Sequence, residues 1–191
     1  MRSLNICVDI DGTLTDPYYW IEETEKYFGI KIREEDVTQY EIHKILNIPK
    51  EDYIMFYEQY GEKIHKEAKL RENVKEVMEK LNLFHNLYYV TAREQKLETI
   101  TKEWIDLHQL PCDDLYLLGS HYKVPKALDL RCDIFLEDNY DNALQLSSSG
   151  FTVLLLDTNY NRLPLPKGVK RVYDWREIYN EIQELAIGKI A

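Results

Sequence analysis

Apolar residues in this chain come in short runs, and two spacings alternate along most of its length. Residues 4–8, 87–90, 115–118, 134–136 and 152–156 are compact stretches rich in β-branched and aromatic side chains, the pattern of strands buried on both faces of a parallel sheet. Between them the spacing changes to three and four. Val74, Val77, Met78 and Leu81 share one helical face, and Leu97, Ile100, Trp104 and Leu107 another. From about residue 71 onward strand and helix alternate, which predicts right-handed βαβ units and a three-layer, doubly wound α/β sandwich with a Rossmann-like parallel sheet. Asp174, ahead of Trp175, Ile178, Ile182 and Leu185, reads as the cap of a closing helix, and Leu163-Pro164-Leu165-Pro166 as a rigid loop before a last short strand.

Residues 16–70 break the alternation. They are charged, aromatic and helix-prone, with no strand-like run, so the expected layout is a catalytic core of residues 1–15 plus 71–191 and a small helical insertion of residues 16–70 after the first strand. Such an insertion leaves the core beside the strand ends. It can fold over them as a lid or lie against one face of the sheet, and the pattern allows both.

Composition narrows the function classes. The 191 residues are 45% hydrophobic and 30% charged, enough for a real core, and the formal net charge of -10 argues against affinity for a nucleic-acid polymer or an anionic membrane surface. The first apolar run is too short to span a bilayer and contains Asp9 at its end, so the expected location is cytoplasmic. Cys7, Cys112 and Cys132 are odd in number and form no CxxC pair, which suggests neither a disulfide framework nor structural zinc. The five histidines lack a metal-ligand spacing and read as ordinary surface or partly buried groups. Fifteen tyrosines are an unusual load; they fit core packing, or a pocket for a flat ligand.

The chemistry lies at the predicted strand ends. Asp9 ends the first strand and Asp11 follows two positions on, so an extended backbone would turn both carboxylates to one side, with Gly12 allowing a tight turn. A run of Asp-x-Asp-Gly-Thr arises by chance in on the order of one such chain in a thousand, so a plain turn is the weaker reading. A calcium EF-hand loop fails, because its sixth position is not Gly and its twelfth is Trp20. Glu137-Asp138 end the 134–136 strand in the same manner, and carboxylates from two strand tips can converge on one hard cation, for which oxygen-only ligands select Mg²⁺. Asp141 and Asn142 could hold ligand waters, or cap the following helix. Thr91 ends another strand ahead of an amphipathic helix, a place for an anion site or for a simple helix cap. Lys123, in the loop before Pro125, can neutralise phosphate and carboxylate; Lys126 is its rival and Lys123 is preferred.

In this order, Asp9-Ile10-Asp11-Gly12-Thr13, Thr91, a lysine and Glu137-Asp138 resemble the four motifs of the haloacid dehalogenase superfamily. The chain length, the helical insertion, the form Thr91-Ala92-Arg93 and the short distance from Lys123 to Asp138 further resemble the cytosolic 5'(3')-deoxyribonucleotidases. The resemblance implies a Mg²⁺-dependent phosphatase for nucleoside monophosphates, with Asp9 as nucleophile and Asp11 as acid and base. It further implies Mg²⁺ on Asp9, Asp138 and the Asp11 backbone carbonyl, Glu137 acting through water, and Thr91 and Lys123 on the phosphate. Where the better-known members have an aromatic residue soon after the first motif, this chain has Pro17, then Tyr18, Tyr19 and Trp20, so base preference stays open. A small phosphate ester, foremost a nucleotide, is the expected partner, and a homodimer is compatible with it. Two alternatives remain: a phosphatase or mutase for sugar phosphates or other small esters, and a non-catalytic phosphate-binding module, against which the pair Asp9 and Asp11 argues.

Overall fold

A computed structural model describes residues 2–188. Six parallel strands form one sheet: β1 (Asn5–Val8), β2 (Asn86–Thr91), β3 (Asp114–Leu117), β4 (Ile134–Glu137), β5 (Thr152–Leu156) and β6 (Val169–Val172), in the order β3-β2-β1-β4-β5-β6. Ile6 stands level with Leu87 on one side and Ile134 on the other. The connection after β3 crosses β1 to reach β4, so the order reverses at β1, and ligands of such sheets bind outside the carboxyl ends at that reversal.

Alternation along each strand builds two apolar layers. Ile6, Val8, Leu87, Tyr89, Ile134 and Leu136 face one side, packed on α4 (Val74–Asn82), α5 (Glu98–His108) and α8 (Trp175–Ala186). Cys7, Val90, Phe135, Val153 and Leu155 face the other, covered by α6 (Val124–Asp129) and α7 (Tyr140–Ser148). Both Cys7 and Cys132 are buried in this second layer. The architecture is therefore the three-layer α/β sandwich that the alternation predicts. Asp174 caps α8, its carboxylate accepting from the N–H of Glu177 at 2.8 Å. One helix face differs from expectation. Leu107 is 70% exposed and Ile105 is buried in its place, because the stripe through Leu97, Thr101, Trp104 and Ile105 is centred about a hundred degrees away from position 107 at 3.6 residues per turn.

Residues between β1 and β2 carry α1 (Ile21–Phe28), α2 (Ile42–Leu46) and α3 (Lys50–Lys66). These helices bury a cluster of their own, Trp20, Ile32, Val37, Leu46, Phe56 and Ile64. One antiparallel crossing closes the base of this segment: Thr15 bridges Leu70, with Asp16 N–H donating to the Lys69 carbonyl at 2.8 Å and Arg71 N–H to the Leu14 carbonyl at 2.9 Å. α3 also packs on α5. Among the described residues, no helix is long and apolar enough to cross a membrane.

Candidate active site

The carboxyl end of β1 runs straight into a turn. Ile10 carbonyl accepts from the N–H groups of Thr13, Leu14 and Thr15, and Gly12 sits at φ +80°. Glycine is required there twice over: the left-handed backbone disfavours a side chain, and a Cβ would stand 2.2 Å from Asp138 Oδ2. Arg71 Nε donates to the Gly12 carbonyl at 2.8 Å and Trp175 Nε1 to the Thr13 carbonyl at 3.2 Å, pinning the turn to the rest of the core. Because the backbone turns after Ile10, the expectation that Asp9 and Asp11 present their carboxylates together from an extended chain does not hold. Asp9 points to the β4 tip, whereas Asp11 points toward β2 and the helical segment.

Asp9, Glu137 and Asp138 are all buried, and their oxygens lie within 4.8 Å of one another. Lys123, 1% exposed, places Nζ on Asp9 Oδ1 and 2.6 Å from Glu137 Oε1. Glu137 is saturated, since its other oxygen accepts from the N–H groups of Asp138 and Asn139 at 3.2 and 3.1 Å, and Asn142 Nδ2 donates to Oε1 at 3.1 Å. Asp138 accepts from Thr13 Oγ1 at 3.3 Å and, at Oδ2, from the Tyr160 hydroxyl, and its carbonyl accepts from Asn161 Nδ2 at 2.7 Å. Lys126 lies elsewhere, 3.5 Å from Asp129 and over the Tyr116 ring. Of the two residues considered in the next helix, Asn142 turns toward Glu137; the helix cap is Asn139, whose Oδ1 accepts from Asn142 N–H at 3.0 Å.

Three carboxylates against one ammonium leave this pocket with surplus negative charge. Burial pushes Asp9 well above the usual carboxylate range; Lys123 pulls it down, but Glu137 and Asp138 push against that. Burial and Glu137 likewise push Asp138 up to about 7. A hard divalent cation fits this donor set on two counts: every donor is an oxygen, and its charge removes the mutual repulsion that raises both acids.

Asp11 has opposite surroundings. Burial alone would raise its pKa, but Arg93 and His65 hold it well below the carboxylate range. Arg93 donates from Nε to Oδ2 at 2.9 Å and from Nη2 to Oδ1 at 2.6 Å, while its Nη1 donates to Thr101 Oγ1 at 3.0 Å. The Tyr19 hydroxyl donates to Asp11 Oδ1 at 2.9 Å and lies 3.0 Å from His65 Nδ1; Tyr57 hydroxyl is 2.6 Å from His65 Nε2. Without a metal-ligand spacing the histidines are expected to be ordinary surface or partly buried groups, and for His65 and His85 the structure corrects this: they are 5% and 4% exposed. No local spacing marks His65, because only the packing of α3 over the strand ends brings it to Asp11.

Thr91 ends β2 beside β1, buried, with its Oγ1 accepting from Arg93 N–H at 3.2 Å. The long helix starts later than the sequence suggests: residues 92–94 form a loop and Gln95–Leu97 a 3₁₀ turn before α5 begins at Glu98. Loop N–H groups, and not the first N–H groups of α5, therefore adjoin Thr91. Between the strand tips and the helical segment opens a cavity of about 700 Å³, whose lining includes Asp11, Tyr19, Trp20, Tyr53, Tyr57 and Tyr160.

Comparison with known proteins supplies the decisive observation. The sequence model of the family described as "5' nucleotidase, deoxy (Pyrimidine), cytosolic type C protein" matches residues 2–187. The chain belongs to the NT5C family. Members are phosphoric monoester hydrolases within the haloacid dehalogenase superfamily, and this chain is one of them. It is 53% identical over 185 residues to a nucleotidase of Clostridium acetobutylicum, covering 97% of this chain and 96% of that protein. It is 34% identical over 175 residues to the Bacillus subtilis protein YqfW, described as a candidate nucleotidase, covering 91% of each. Among solved structures, a haloacid dehalogenase-like hydrolase of Streptococcus pneumoniae superposes with a TM-score of 0.72 at 18% identity, covering 95% of this chain and 99% of that one. YfnB of Bacillus subtilis, solved bound to magnesium, gives 0.63 at 11% identity, covering 95% and 99%. At such identities the structural likeness speaks for the NT5C chain's fold alone.

Proposed function

We propose that this nucleotidase hydrolyses nucleoside monophosphates through an aspartyl-phosphate on Asp9, with Mg²⁺ as cofactor. The observation that carries the reading is the buried group of Asp9, Lys123, Glu137 and Asp138 at the β1 and β4 tips, of which Asp138, with Asp11 beside it, lines an aromatic cavity.

Asp9 Oδ attacks phosphorus, the phosphorus–oxygen bond to the sugar breaks, and the departing oxygen takes a proton from Asp11. Water then attacks the phosphorus of the aspartyl-phosphate, returns a proton to Asp11 and frees Asp9 and phosphate. Asp11 begins as an anion on Arg93; the arriving phosphate places negative charge beside it and so favours its protonated form. Lys123 and Thr91 bind phosphate oxygens and hold them in line with Asp9, and Glu137 keeps Lys123 aimed. Asp9, Asp138 and the Asp11 backbone carbonyl would hold Mg²⁺, which when bound neutralises charge between the anionic nucleophile and the anionic phosphate. Residues 16–70 act as the lid of a core made of residues 1–15 and 71–191, with the base lying among the aromatic side chains of the cavity. Tyr19 and Trp20 stand there despite Pro17 at the earlier position.

A phosphate-release panel of 5' and 3' nucleotides and sugar phosphates, with and without Mg²⁺, tests this. Nucleotide preference and Mg²⁺ dependence are expected; equal turnover of all sugar phosphates would overturn the substrate, and full activity in EDTA the cofactor.

A further inference from the structure

Asp11 is the one acid at the strand tips whose carboxylate is gripped from both halves of the molecule. From the core, Arg93 spans both of its oxygens, and Arg93 is itself 4% exposed and anchored on Thr101. From the helical segment come Tyr19, just after the Asp16 crossing, and His65 and Tyr57, both on α3. The direction of every hydrogen bond in this chain follows from Asp11. An ionised carboxylate only accepts, so the single Tyr19 proton goes to Oδ1. His65 Nδ1 then carries the donor proton, facing the Tyr19 oxygen at 3.0 Å and Asp11 Oδ1 at 3.4 Å, which leaves its Nε2 to accept from the Tyr57 hydroxyl.

We propose that Arg93 and the chain Tyr57–His65–Tyr19 are positioning residues for proton transfer: together they set where the Asp11 carboxylate stands relative to the leaving oxygen, and they tie that placement to the seating of the helical segment on the core. The inference rests on the reading of Asp11 as acid and base. None of these four groups needs to touch phosphorus or its oxygens. Each acts by restricting a side chain that, without them, would swing on two torsions in a roomy cavity. A phenylalanine at position 19 would fill the same volume but remove one donor from Asp11 Oδ1, leaving His65 Nδ1 only its longer direct approach of 3.4 Å.

Leaving-group selectivity tests the proposal. Proton donation matters for a nucleotide, whose sugar alkoxide is a poor leaving group, and hardly at all for p-nitrophenyl phosphate, whose phenolate leaves unaided. Tyr19→Phe and Arg93→Lys are the variants to compare with wild type and with Asp11→Asn, each with its thermal unfolding measured. Lysine keeps the charge of Arg93 but not its two-pronged grip. The expected result is a loss of about ten-fold or more in kcat/KM for a nucleotide in both variants, the worth of one hydrogen bond to a charged group, with kcat/KM for p-nitrophenyl phosphate changed less than about two-fold; this ratio covers the steps up to departure of the leaving group and leaves out the shared hydrolysis of the aspartyl-phosphate. Equal losses on both substrates, or no loss on either, would overturn the positioning role. If Asp11→Asn itself loses kcat/KM equally on both substrates, or on neither, the reading of Asp11 as the acid fails instead, and the two failures are thereby told apart.

Discussion

The Lys123 ammonium stands 2.6 Å from Glu137 Oε1, and both side chains are almost completely buried, at 1% and 0% exposed. The same nitrogen rests on Asp9 Oδ1. One lysine from the N-terminal edge of α6 thus joins the tips of β1 and β4, and the strand reversal becomes a site because of it.

Removing that lysine should harm stability as well as turnover. Lys123→Met leaves Asp9 and Glu137 buried without their cation, and loss of one partner from a buried pair costs about 3 kcal/mol or more. Urea unfolding should show that loss, together with phosphate release near background. Lys126→Ala, altered at an exposed contact with Asp129 and the Tyr116 ring, should retain both.

Asp9→Asn should separate activity from stability in the opposite sense. Burial, with Glu137 and Asp138, outweighs the pull of Lys123 and holds Asp9 above the usual carboxylate range, so a neutral side chain of the same shape suits the site. Turnover should drop by three or more orders of magnitude while the unfolding midpoint in EDTA stays level or rises. Wild-type protein quenched in acid during turnover should carry a hydroxylamine-labile phosphate that the variant lacks. An active Asp9→Asn would remove the nucleophile assignment.

Gly12→Ala tests the tightest contact in the turn. Its Cβ would meet Asp138 Oδ2 at 2.2 Å and the Tyr160 hydroxyl at 2.8 Å, on a backbone at φ +80°. About 1–3 kcal/mol of destabilisation is expected from the backbone alone, and displacement of Asp138 should weaken the Mg²⁺-induced rise in unfolding temperature. A variant with wild-type stability and an undiminished Mg²⁺ response would contradict the geometry.

Histidine 85 gives a pH prediction away from the site. It is buried, Leu4 N–H donates to its Nδ1 at 3.3 Å, and desolvation holds it below its usual range despite Asp133 nearby. A depressed histidine is neutral when folded, so its contribution is fully present above the unfolded value of about 6.5 and is lost as pH falls through the folded one. Stability should therefore decline on acidification below about pH 6.5, and His85→Gln, which can still accept from Leu4, should flatten that part of the curve.

Much of this protein can be read along the chain because its information is local. Strands buried on both faces leave continuous apolar runs, helices leave three- and four-residue spacing, Asp9, Thr91 and Asp138 sit where a strand ends, and Lys123 sits where the loop after β3 gives way to a helix. The alternation of those elements is enough for the sandwich. Local patterns say nothing, however, about side chains that meet across folded distance. Leu107 faces water because the sheet takes the α5 face through Trp104 and Ile105, and a three- and four-residue spacing does not say which of two overlapping stripes packs inward. Asp11 parts from Asp9 because the backbone leaves its extended form after Ile10. His65 and Tyr160 reach Asp11 and Asp138 from 54 and 22 residues away in sequence only when α3 closes over the strand ends and the loop after β5 folds back. Which residues can bear the chemistry is a property of composition and order; how each carboxylate is charged, paired and aimed is set by burial and by neighbours that only the packed chain assembles.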